Sequence, residues 1–234
     1  MQEEVVHHAR ARAGQDTVAL AEALYFDFAP YMEQEPQRIL RDEGVAGRNA
    51  LAALEAVGRG AERPSEIASR LGTAQTNLSR LLTQLLDGSI LARELPFGES
   101  TRSTKKVLYR IQDPALRFWF RVFSPHQSLW RTYSASERRK LIHDHAATVF
   151  EEHCRARFPG ARRHWEAEVE LDLVAPDPVD QKRLLVAEVK WRRVSEAERR
   201  GLLRQLEARW ERCSLRARHP RVRFEVLDAS ILDG

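Results

Sequence analysis

The most constraining feature of this sequence is a pair of apolar runs that carry charge where a buried strand tolerates little. Val169-Glu170-Leu171-Asp172-Leu173-Val174 alternates apolar with acidic residues and then becomes wholly apolar. Beyond a Pro176-Asp177-Pro178 turn, the run from Leu184 is uninterrupted until Glu188 and Lys190. Side chains alternate faces along a strand, so Glu188 and Lys190 share a face while Val189 points into a core. A neighbouring strand carrying Asp172 opposite Glu188 would gather two carboxylates and an ammonium at one strand end. Paired carboxylates suit a hard divalent cation such as Mg2+, and a lysine beside them orients water and stabilises charge on a phosphodiester. The Val189 carbonyl offers a further oxygen. Lysine is scarce here, five residues against 33 arginines, which makes Lys190 the more notable. The plain alternative is a salt-bridge ladder at a sheet edge.

The elements around these strands predict an α+β protein. From Leu141 the order is helix (to about Arg157), strands near 163–166, 169–175 and 184–191, a helix over 195–218, and a strand over 222–227. This α-β-β-β-α-β series defines a domain at 141–234. Upstream, residues 1–44 are helical, and 113–140 form a helical connector that starts at Asp113-Pro114. Between them, residues 45–112 run helix, short helix, Gly72-Thr73 turn, longer helix over 74–87, then two strands around a basic loop. That is the order of a winged helix-turn-helix. Gln75, Thr76, Asn77 and Arg80 on the longer helix could read base edges in a major groove, and Arg102, Lys105 and Lys106 in the wing could hold phosphates. A winged helix used only as a protein-binding module is the other reading.

Net charge is +4 with a sequence pI near 9.3, which permits a nucleic-acid partner without demanding one. No apolar run approaches the roughly 20 residues of a membrane span. The start of the chain is polar and unlike a secretory signal, so the expectation is a cytoplasmic protein with no membrane partner. Cys154 and Cys213 cannot by themselves form a disulfide framework or a four-ligand zinc site. His143-x-His145 faces two directions on a helix, and His7-His8 is read as an exposed polar pair. The aromatic block Phe118, Trp119, Phe120, Phe123 and Trp130 is read as an apolar seam joining modules rather than a stacking platform for bases. No Gly-x-Ser-x-Gly elbow or cysteine–histidine arrangement supports acyl transfer.

The segments E-V-E-L-D-L-V-A and V-A-E-V-K-W resemble the PD-(D/E)XK nuclease superfamily, as does the α-β-β-β-α-β order, so a restriction-endonuclease-like domain is implied. The resemblance assigns metal binding to Asp172 and Glu188 and catalysis to Asp172, Glu188 and Lys190. It adds a first-helix glutamate, best matched by Glu151 with Glu152 possible, and, on the following helix, Gln205 as a weaker candidate. More broadly, E-P-Q-R-I-L-R-D-E, R-P-S-E-I-A-S-R-L-G, L-Y-R-I-Q-D-P-A-L-R-F-W-F-R-V and A-E-V-K-W resemble the C-terminal half of an archaeal and bacterial AAA-type ATPase family. That half comprises a winged helix and a PD-(D/E)XK-like domain of unknown function. No Gly-x-x-x-x-Gly-Lys-[Ser/Thr] P-loop is present, so ATP hydrolysis is not carried over. Residues 1–44 would then correspond to the end of an ATPase lid and offer a docking segment for a protein partner or a separate ATPase domain. The expectation is a DNA-binding protein with a Mg2+-dependent phosphodiesterase site. Its competitor is a non-enzymatic DNA- or protein-binding adaptor with an inactive nuclease fold.

Overall fold

The computed structural model describes residues 17–26, 34–45, 47–100, 102 and 106–233. Lys105, His7, His8 and much of the 1–44 segment lie outside them. The chain is mixed α+β and divides into two compact units: residues 1–94 with 108–145, and residues 95–107 with 146–234. No helix among the described residues is long and apolar enough to cross a membrane.

In the first unit, α1 (Thr17–Ala21) continues into one π-type turn over Glu22–Phe26, and α2 (Glu35–Asp42) follows. Three helices come next: α3 (Arg48–Gly58), α4 (Pro64–Arg70) and α5 (Gln75–Asp87). Proline opens α4, where its missing N–H costs nothing, and the Glu66 carboxylate takes up the free amides of Glu62 and Arg63 at 3.1 Å each. Gly72, at φ +61°, makes the left-handed turn into α5. Leu78, Leu82 and Leu85 form the buried stripe of α5, at three- and four-residue spacing. Strands β1 (Leu91–Glu94) and β2 (Leu108–Ile111) pair antiparallel, from Leu91↔Ile111 to Glu94↔Leu108.

The aromatic block is core of this unit. Asp113 caps α6 (Pro114–Phe118) by accepting from the Leu116 amide at 2.7 Å, and a π-type turn over Trp119–Phe123 follows. Sequence periodicity predicts one continuous helix from Ala115 to Phe123; the wider turn instead buries Trp119, Phe120, Val122 and Phe123 and leaves Arg121 exposed. Phe118 meets Tyr25 at 4.3 Å between ring centroids, and Phe26 stacks on Trp130 at 3.8 Å. Phe120 lies against α3 so closely that only glycine fits at position 58, where an added Cβ would stand 2.4 Å from the Phe120 Cβ. After α7 (Ser124–His126) and a 3-10 turn (Trp130–Thr132), α8 (Ala135–Ala156) begins at a reciprocal cap. The Ser134 hydroxyl accepts from the Glu137 amide, and the Glu137 carboxylate accepts from the Ser134 amide at 2.7 Å. That cap starts the helix at residue 135 rather than 141.

In the second unit, four strands form one sheet in the order β3-β4-β5-β6: β3 (Arg162–Glu166), β4 (Val169–Pro176), β5 (Leu184–Lys190) and β6 (Val222–Asp228). The first three are antiparallel, and β6 joins β5 in parallel, a connection made by α9 (Glu196–Glu211) and the short α10 (Leu215–Arg218). The order expected from residue 141 onward is thus the order observed, except that Arg212–Ser214 splits the last helix in two.

Both faces of the sheet are covered. Val169, Leu171, Val174, Leu184 and Val186 pack with Leu206, Trp210 and Leu215; Leu173, Ala175, Leu185, Ala187 and Val189 pack with Phe150 and Cys154 of α8. Burial on both faces explains why β5 reads as an unbroken apolar run. A bulge interrupts β4: Arg162 opposes Val174 while His164 opposes Leu171, so two residues of β4, Asp172 and Leu173, face the single Arg163. The second unit also includes residues 95–107, the connection from β1 to β2, where the Phe97 amide donates to the Arg163 carbonyl at 2.9 Å.

Candidate functional site

Asp172 owes its direction to the bulge. Leu171 and Val174 are three residues apart, yet both join the apolar cluster under α9, because the extra residue resets the alternation. Between β4 and β5 the ladder pairs Leu173 with Ala187, so Asp172 and Glu188 are the next residues outward on the facing strands. The Asp172 carboxylate accepts from the Val189 amide at 2.9 Å. Its backbone carbonyl, displaced from the regular ladder, accepts from Arg155 of α8 at 2.8 Å.

Glu188 is buried and has both carboxylate oxygens engaged. Lys190, two residues on and on the same strand face, donates to Oε1 at 2.6 Å. Arg209 of α9 donates to Oε2 and, at 3.1 Å, to the Glu170 carbonyl. Sequence reasoning missed Arg209. Its signal was its position one helical turn after the weaker candidate Gln205, which is exposed. Arg192, two residues beyond Lys190, pairs with Glu198.

The three acids titrate differently. Burial and then the two donors compete at Glu188; Lys190 and Arg209 prevail and hold its pKa below the ordinary value. Asp172 is raised by burial, and further by the charge of Glu188. Glu151, on α8, is pushed up to about 7, first by burial and then by Asp172, against Arg155 at 3.5 Å. Glu151, Asp172 and Glu188 therefore form one electrostatic group faced by Arg155, Lys190 and Arg209. The expected residues Glu151, Asp172, Glu188 and Lys190 are brought together in the second unit.

The residues expected at nucleic acid divide between the units. Gln75, Thr76, Asn77 and Arg80 are all exposed along the first turns of α5 in the first unit. Asn77 and Arg80 also line a groove of about 950 Å3 whose walls carry Arg48, Arg59 and Arg70. Arg102 and Lys106 are exposed and belong to the second unit.

These positions can be set beside known proteins. Residues 119–202 match the DUF234 family model, described as archaea bacterial proteins of unknown function. The DUF234 match runs from the aromatic turn into α9, so it contains Glu151, Asp172, Glu188 and Lys190 but neither Arg209 nor any residue of α5. The chain is also similar to an uncharacterized protein of Methanocaldococcus jannaschii, 28% identical over 168 residues. That alignment covers 65% of this chain and 38% of the relative, so the chain spans well under half of the protein it matches. No solved structure matches.

One further cluster escaped the sequence reading. Among the described residues, His164, Glu166 and Cys213 are the group of three whose ligand atoms lie within 4.8 Å of one another. Strand β3 and the α9–α10 turn supply them, elements nearly fifty residues apart, and no spacing motif announces them.

Proposed function

We propose that this chain binds DNA through a winged helix at residues 45–112 and carries a divalent-cation-dependent phosphodiesterase site in a PD-(D/E)XK-like domain at residues 141–234. The observation that carries this reading is the strand register: Asp172 and Glu188 are the next residues outward from the Leu173↔Ala187 pair, and Lys190 shares the face of Glu188. The donor set fits a hard cation. Asp172 and Glu188 offer carboxylate oxygens, and the pKa of Asp172 is raised by burial and by its neighbour's charge, a cost that a cation would relieve. When bound there, Mg2+ would supply charge neutralisation for a phosphodiester and a bound water of lowered pKa.

The chain's own residues do the rest. Lys190 holds Glu188 and presents an ammonium where negative charge would gather on phosphorus. Glu151, with a pKa of about 7, can hold or release a proton at neutral pH. On the exposed edge of α5, Gln75, Thr76, Asn77 and Arg80 offer the amide, hydroxyl and guanidinium groups that read base edges. The same element order supports a likeness to the accessory half of an AAA-type ATPase, with the ATPase on another chain or segment.

The second reading is a non-enzymatic adaptor, and Arg209 favours it. Arg155, Lys190 and Arg209 balance the three acids, so a cation at Glu188 must displace Lys190 or Arg209 from it. Calorimetry with Mg2+ and Mn2+ on the wild type and on Asp172→Ala/Glu188→Ala separates the two. Saturable binding that the double variant loses is expected, together with cleavage of DNA that falls roughly 100-fold or more in Lys190→Ala. A folded wild type that binds neither ion would leave the adaptor.

A further inference from the structure

His164, Glu166 and Cys213 offer three electron-pair donors to one point in the second unit. His164 is 2% exposed, and Cys213 is buried. The Nδ1 atom of His164 lies 3.2 Å from the Phe97 carbonyl oxygen, which can only accept. Nδ1 therefore carries the ring proton, and Nε2 presents a lone pair. That Nε2 is buried with no hydrogen-bond partner, and a Glu166 carboxylate oxygen lies 3.5 Å from it. A buried lone pair beside a carboxylate and a thiol is unfavourable, and a cation held among the three relieves it.

We propose that His164, Glu166 and Cys213 bind one zinc-class transition-metal ion. The donor types select the metal: imidazole and thiolate suit Zn2+ or Co2+ and are poor ligands for Mg2+, so this site differs in kind from the carboxylate–lysine group. With bonds of about 2.0–2.3 Å in tetrahedral geometry, ligand atoms of one ion stand about 3.3–3.8 Å apart, so an inward movement of roughly 1 Å closes the present set, whose atoms lie within 4.8 Å of one another. The outer shell is already built. The Phe97 carbonyl orients the imidazole, and the Ser214 amide and hydroxyl both donate to Glu166. Glu166, Cys213 and Ser214 also line a groove of about 1170 Å3, which gives an ion access and a fourth, water ligand. Binding deprotonates the Cys213 thiol and releases that proton to solvent. The bound ion staples three segments with little contact in sequence: the β3–β4 hairpin, the α9–α10 turn and, through the His164–Phe97 bond, residues 95–107.

The full chain, stripped with chelator, is titrated with Co2+ and followed by its thiolate-to-metal absorption. One equivalent that brings up the band, displaced by Zn2+, retained in Cys154→Ser and lost in Cys213→Ser and His164→Ala, is the expected result. Ser214→Ala should weaken Co2+ binding by about 10-fold, through a loosened Glu166. Absence of the band in the folded wild type, or its survival in Cys213→Ser, overturns the proposal. Should Cys213→Ser fail to fold, Zn2+ protection of the wild-type Cys213 from alkylation, mapped by mass spectrometry, decides: protection supports the site and unchanged labelling overturns it.

Discussion

Asp177 has no exposed surface and is nonetheless charged, because the turn that buries it also brings its partners. Burial alone would raise its pKa. The Val179 amide at 2.9 Å, Arg223 at 3.0 Å and Arg183 at 2.5 Å outweigh that and hold it at about 2. A depressed acid binds fewer protons folded than unfolded, so its stabilisation is complete above about pH 4 and lost as pH falls toward 2. Asp177→Asn should therefore lower the urea midpoint at pH 7, with the gap to wild type closing between pH 4 and 2. Gly58 makes the opposite case, where local preference and packing disagree. Alanine would gain about 1 kcal/mol of helix propensity. Its Cβ, 2.4 Å from Phe120, would cost about 1–3 kcal/mol of overpacking. Gly58→Ala should destabilise in denaturant melts, and a neutral or stabilising result would mean that the α3 contact yields easily.

At the scale of elements, the bulge in β4 is the device that matters. It turns Asp172 toward Glu188 and leaves a carbonyl outside the regular ladder, and Arg155 answers that carbonyl from α8. Arg155→Leu keeps much of the stem but removes the donor. Leaving a part-buried carbonyl unpaired should cost about 1–3 kcal/mol in urea unfolding. It also removes one of the cations facing Glu151. Helix α5 divides its residues between two tasks: Leu78, Leu82 and Leu85 inward, Gln75, Thr76, Asn77 and Arg80 outward. If the outward edge reads DNA, Asn77→Ala and Arg80→Ala should each weaken duplex binding by roughly 10-fold, measured by fluorescence anisotropy at fixed salt. Unchanged affinity in both would point to a protein partner for that face.

For the whole molecule, two units share one chain, and the small net charge of +4 does not by itself drive contact with nucleic acid. Any DNA affinity then rests on a few placed cations, so log K should fall with log salt at a slope of only a few units. A slope near that of a protein contacting ten phosphates would require a basic surface much larger than the groove beside α5. The sequence holds no P-loop, so adding ATP at constant Mg2+ should leave the melting temperature unchanged in a thermal-shift assay.

Periodicity by itself determined the element order of the second unit, since a strand buried on both faces has to be apolar throughout and an amphipathic helix has to repeat every three to four residues. The same local rules brought out Asp172, Glu188 and Lys190, because charges inside apolar runs are costly and so stand out. Caps were less legible, and Ser134 with Glu137 extended α8 by six residues beyond its apolar repeat. Tertiary structure alone decided the bulge that aims Asp172, the reach of Arg209 to Glu188, and the meeting of His164, Glu166 and Cys213. Each depends on which segments lie side by side. Alternation along one strand carries no information about an extra residue opposite another strand, or about a helix returning from twenty residues away.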